Sequence, residues 1–117
     1  MVTKRKNNST QNELVQVDVS FPSLKKEIAN LEKDELESFF SSLDKIESMT
    51  WAQIYATSSK GQKRGLNWEP IQGQTTRDGK KVASIRITKK FRARVVRDGV
   101  FMRFVSLHPD HDSAYQK

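Results

Sequence analysis

The 117-residue chain predicts an α+β fold: an N-terminal strand and two to three helices packed on one face of a small, mostly antiparallel, curved β-sheet. Three patterns carry that expectation. Residues 14–21 alternate apolar and polar side chains with a period of two. Leu36, Phe39, Phe40, Leu43 and Ile46 then recur at helical spacing, and period-two runs return after residue 82. A chain ordered strand, helices, strands buries both amphipathic surfaces when the helices form one layer on the sheet.

Residues 1–13 are polar and aperiodic, which marks a flexible basic arm ahead of a single domain spanning 14–117. In the first strand, Val15, Val17, Val19 and Phe21 take one side, and Pro22 ends the run. Ser23 is placed to cap a short helix from Leu24 to Asn30. Asp34 and Glu37 have capping-box spacing for a second helix, whose apolar stripe packs in the core. Thr50 is placed to cap a third, Trp51 to Tyr55. Ser58 to Gly65 is a basic loop, Leu66 to Ile71 an edge strand limited by Pro70, and Gly73 to Lys80 a second loop.

Three strands follow: Val82 to Thr88, Phe91 to Arg97 and Val100 to Leu107. Their alternation turns Ala83, Ile85, Ile87, Phe91, Ala93, Val95, Met102 and Phe104 towards the helices. Arg86, Arg92, Arg94 and Arg103 then share the open face with Val96, Phe101 and Val105. Asp98-Gly99 is the strongest hairpin signal, because such turns need positive φ at their centre. A two-residue turn there sets Val96 opposite Phe101, Arg94 opposite Arg103 and Arg92 opposite Val105. Two opposed arginines repel, so that register makes most sense with an anion between them.

The charge distribution is uneven. Ser23 to Thr50 holds four basic and seven acidic residues, whereas Lys60 to Arg103 holds thirteen basic and three acidic. With a net charge of +7, this asymmetry favours a nucleic-acid partner on one surface over a merely solvated one. There are no cysteines, which excludes disulfides and thiolate metal sites and is compatible with the cytoplasm. No apolar run is long enough to span a membrane, and no apolar segment follows the basic N-terminus as a secretory signal requires.

Both histidines, His108 and His111, lie just beyond the basic strands, beside Asp110, Asp112 and Tyr115. Imidazole titrates near neutrality and can take or give a proton, while arginines stabilise anions. The rival is a metal site on His108, Asp110, His111 and Asp112. Adjacent residues rarely converge on one ion, so neither a metal nor another cofactor is expected. Lys89, Lys90, Lys63 and Arg64 are placed for phosphate contacts. Trp51 and Trp68 fit core packing better than base stacking.

Taken in order, these pieces resemble the RelE/ParE superfamily of bacterial toxins from type II toxin–antitoxin systems. Glu69-Pro70-Ile71-Gln72-Gly73 is similar to the family's Pro-Leu-X-Gly element, Ile85-Arg86-Ile87 to its Ile-Arg-Val core, and Phe91-Arg92 to its Tyr-Arg pair. Residues 105–115 are similar to its closing strand and tyrosine-ended tail, with Pro109-Asp110-His111-Asp112 standing where the family carries an arginine. The resemblance implies a RelE-like fold and a metal-independent, ribosome-dependent mRNA endonuclease that inhibits translation. It implies mRNA, the ribosome and an acidic antitoxin as partners. It also implies Arg92 on the scissile phosphate, Arg86 beside it, Tyr115 stacking or moving a proton, and His108 or His111 as acid/base. The alternatives are the gyrase-inhibiting ParE-like branch and a non-catalytic RNA-binding module.

Overall fold

The computed structural model describes residues 10–58 and 65–109. The order is β1 (Gln16–Asp18), α1 (Leu24–Ala29), α2 (Lys33–Glu47), α3 (Trp51–Ala56), β2 (Glu69–Thr75), β3 (Lys81–Arg86), β4 (Arg92–Asp98) and β5 (Phe101–His108). The five strands form one sheet ordered β1-β5-β4-β3-β2. The fold is α+β as the patterning predicts, but the sheet is mixed. β1 runs parallel to β5, and the other three pairings are antiparallel.

The helices cover one face. Phe39, Trp51, Ile54, Leu24 and Ile46 bury their side chains against Ile85, Ala93, Val95, Met102 and Phe104. Phe39 is the hub, edge-on to Phe104 at 5.7 Å and stacked on Phe91 at 6.4 Å between ring centroids. Trp51 packs edge-on against Trp68 and donates its indole N–H to the Val100 carbonyl at 3.0 Å. Both tryptophans therefore belong to the domain's packing. No described helix is long and apolar enough to cross a membrane.

Several expectations shift by a few residues. The first strand is only three residues long: Val15 is buried, but Val19 and Phe21 are 38% and 44% exposed. Past Asp18 the β5 edge is taken by α1, whose Glu27 Oε1 accepts the Leu107 N–H at 2.7 Å. The capping box of α2 uses Glu32 and Glu35 rather than Asp34 and Glu37. Phe40 leaves the stripe and is 50% exposed, because α2 presents its narrower 39/46 seam to the sheet. β2 starts at Glu69 and runs through Gly73, where the sequence suggested a loop. Thr10 and Gln11, expected in the mobile arm, contact Arg97 and the Gly99 carbonyl.

The β4–β5 hairpin turns one residue later than predicted. Asp98 pairs with Phe101, so Gly99-Val100 is the two-residue loop. Of these two residues Gly99 has positive φ (62°), and β-branched Val100 resists that conformation. Glycine consequently takes the first central position, as a II′-type turn demands. The pairing becomes Val96–Arg103 and Val95–Phe104, then slips by one residue to Arg94–Ser106 and Arg92–His108. Val105 is the extra residue of a β-bulge.

Candidate nucleic-acid interface

That bulge decides what stands beside Arg92. Along β4, Ala93 and Val95 enter the core while Arg92, Arg94 and Val96 alternate onto the face away from the helices. In unbroken register, Leu107 would face Arg92 on the open side and His108 would turn towards the helices. Spending one residue at Val105 reverses this: Leu107 is 7% exposed in the core, and His108 lies opposite Arg92. Bulges beside functional sites commonly re-aim a side chain in this way.

Two rows of polar side chains result. The first is Arg86–Arg92–His108, contributed by β3, β4 and β5. The second is Ser84–Arg94–Ser106, with Glu69 at its β2 end. The expected Arg94–Arg103 opposition is absent, since Arg103 faces Val96 instead. The structure does hold an opposed arginine pair, Arg86 and Arg92. Just beyond it, exposed Lys89 and Lys90 form the β3–β4 connection. Arg92 Nη1 reaches the Thr88 carbonyl at 3.4 Å and Arg94 Nη1 reaches Gln74 Oε1 at 3.4 Å. Both contacts are at the long end of the hydrogen-bond range.

His108 is partly buried, with Nε2 2.9 Å from Ser106 Oγ. Burial is the main cause holding its pKa below the ordinary histidine value, and the Arg94 charge adds to it. Glu27, at the β5 edge, opposes the shift. The imidazole is therefore neutral at pH 7, able to accept a proton.

Arg103 plays another part. Its guanidinium is shared between Asp18 of β1 and Asp98 Oδ2, the latter at 3.1 Å, and stacks over Phe101 at 5.0 Å. It lies on the open face but is neutralised there, tying β1 to the sheet. Arg97, which sequence reasoning did not single out, points to the helix side. It covers Trp51 at 4.3 Å, donates to Tyr55 Oη at 3.1 Å and to Gln11 Oε1 at 2.7 Å. Strand parity alone would have found it, because Arg97 alternates with Val96.

Around the open face, β2 slips register between Pro70 and Thr75, where Gly73 has φ 80°. The bent strand, its turn, Phe21 and the facing residues of β3, β4 and β5 line an open cavity of about 520 Å³. Among the described residues, no cluster of three metal-ligating side chains occurs. Lys63, Arg64, Asp110, His111, Asp112 and Tyr115 lie outside the described residues. No family model, curated protein or solved structure matches this chain.

Proposed function

We propose that this protein is a RelE-like toxin of a bacterial toxin–antitoxin system, a metal-independent endonuclease that cuts mRNA on the ribosome and stops translation in the cytoplasm. One observation carries the reading: Arg86, Arg92 and His108 stand in a single cross-strand row on the sheet face away from the helices. Like charges placed directly opposite repel, and an anion lying across the row would bind both of them. A phosphodiester supplies that anion, and a neutral imidazole beside it supplies a base.

In this reading the 2′-hydroxyl of the preceding ribose gives its proton to His108 and attacks phosphorus. The O2′–P bond forms and the P–O5′ bond breaks, leaving a 2′,3′-cyclic phosphate and a 5′-hydroxyl. Arg86 and Arg92 stabilise the extra negative charge of the phosphorane, usually the largest catalytic contribution. The resemblance offers His111 and Tyr115 as donors to the leaving oxygen. Lys89 and Lys90 extend the cationic end towards the flanking RNA backbone. An acidic antitoxin that folds over this face would neutralise it, and its charge complements the row.

The test is induction in a sensitive bacterial host with mapping of messenger 5′ ends. Growth arrest with new ends inside translated frames, both lost in Arg92→Ala, supports the reading. Arrest with intact transcripts and DNA-damage signalling supports the gyrase-inhibiting branch instead. Unimpaired growth with intact transcripts leaves a non-catalytic RNA-binding module.

A further inference from the structure

We infer that the cavity beside the arginine row is a nucleobase pocket that selects guanine; this rests on the open face being an RNA-binding surface. The cavity of about 520 Å³ lies between the bent end of β2, its turn and the middle of β4 and β5. Such a volume accommodates a nucleoside-sized group. It adjoins the proposed cleavage site through two residues. Arg94 is two positions from Arg92 on the same strand, about 7 Å along it. Ser106 is hydrogen-bonded to His108. A base next to a phosphate held by Arg86 and Arg92 is thus within reach of the cavity.

The lining suits a base. Val82 and Val105 supply apolar surface, and Phe21, 44% exposed, stands at the rim. An aromatic ring beside apolar side chains stacks a base without regard to its identity. The Asp78 carboxylate lines the same cavity beside Arg77 and Arg94, and adds an acceptor to their donors. It is held ionised, chiefly by a hydrogen bond from the Thr76 hydroxyl.

Identity comes from the polar groups. Gln74 gives its Oε1 to Arg94, which turns its amide NH₂ away from that contact as a donor. Together, the Gln74 amide and the Arg94 guanidinium offer a donor-rich edge. Guanine presents two acceptors, O6 and N7, on one edge, whereas adenine presents an acceptor and a donor. Guanine also carries an N2 amino group that an aspartate can accept, and Asp78 lines this cavity. No other base combines both features.

The experiment uses the full-length protein and short deoxyribo-oligomers, which bind but lack the attacking hydroxyl. One series varies a single position among guanine, adenine, uracil and an abasic residue, with dissociation constants measured by fluorescence anisotropy. The expected result is that guanine binds about tenfold tighter than the abasic oligomer, and adenine and uracil fall between. Gln74→Leu should erase the guanine preference, and Phe21→Ala should lower affinity for every base-bearing oligomer. Neither should change abasic binding. Affinity indifferent to the base, with salt-dependent binding retained, overturns the pocket and leaves the cationic face standing. Failure of all the oligomers to bind overturns both.

Discussion

Arg86 and Arg92 are direct cross-strand partners on β3 and β4, two like charges opposed on the sheet face that the helices leave open. Neutralising one member relieves their mutual repulsion. Replacing Arg86 with Gln should leave the urea midpoint unchanged or raise stability by up to about 0.5 kcal/mol, while RNA cleavage falls. Inorganic phosphate should raise the wild-type midpoint more than that of the variant. A variant that is both less stable and fully active contradicts this account of the pair.

The partner on the other side of Arg92 is His108, and its titration can be followed directly. Burial first, then Arg94, depress its pKa from the ordinary 6.5. The folded state therefore binds the proton less readily than the unfolded chain. His108 favours the native state fully above pH 6.5, and that contribution is lost as pH falls to its folded pKa. Cleavage should decline over the acid side of neutrality as the base is protonated. Arg94→Gln should raise the His108 pKa in an NMR titration and move the acid limb of the rate profile to higher pH.

Arg97 and Trp51 predict a purely structural effect. Arg97→Ala removes a cation over the Trp51 ring and the hydrogen bonds that hold Thr10 and Gln11. Chemical denaturation should show a loss of about 2–3 kcal/mol. The Ala52 N–H, which donates to the Gln11 carbonyl, should exchange faster in the variant. Cleavage per folded molecule should not change.

Asp18 and Arg103 make an acid-sensitive link between β1 and β5. Hydrogen bonds from Ser20 first, and then Arg103, hold the Asp18 carboxyl below its ordinary 3.8. That stabilisation is present above pH 3.8 and is lost as pH falls through the depressed value. Asp18→Asn should lower the melting temperature at pH 7, and the difference from wild type should shrink on acidification below pH 3.8. RNA affinity at pH 7 should hold or increase, because the substitution releases Arg103 from one carboxylate.

The alternation of arginines with apolar residues on β3 to β5 is enough to assign faces, since a two-residue period leaves a side chain only two directions. Buried residues from Ala83 to Phe104 follow from the same rule. Register was less legible. The dipeptide Asp98-Gly99 pointed to a turn but not to which loop position the glycine takes, and one residue of difference moves every cross-strand pair. The bulge at Val105 has no signal at all, for Val-Ser-Leu carries no glycine or proline. Yet it sets His108 beside Arg92. Carboxylate partners such as Asp18 for Arg103 lie 85 residues apart and become visible only once the parallel β1–β5 pairing exists.

The most direct measurement uses purified protein, ribosomes stalled on a defined message with an empty A site, and end-group analysis of the RNA. The account predicts cleavage in the exposed codon, a 2′,3′-cyclic phosphate upstream and a 5′-hydroxyl downstream. Arg92→Ala should slow the reaction by about 10²–10³-fold, and His108→Gln should slow it most above pH 7. A message that remains intact with folded wild-type protein, or one cut equally well by Arg92→Ala, contradicts it.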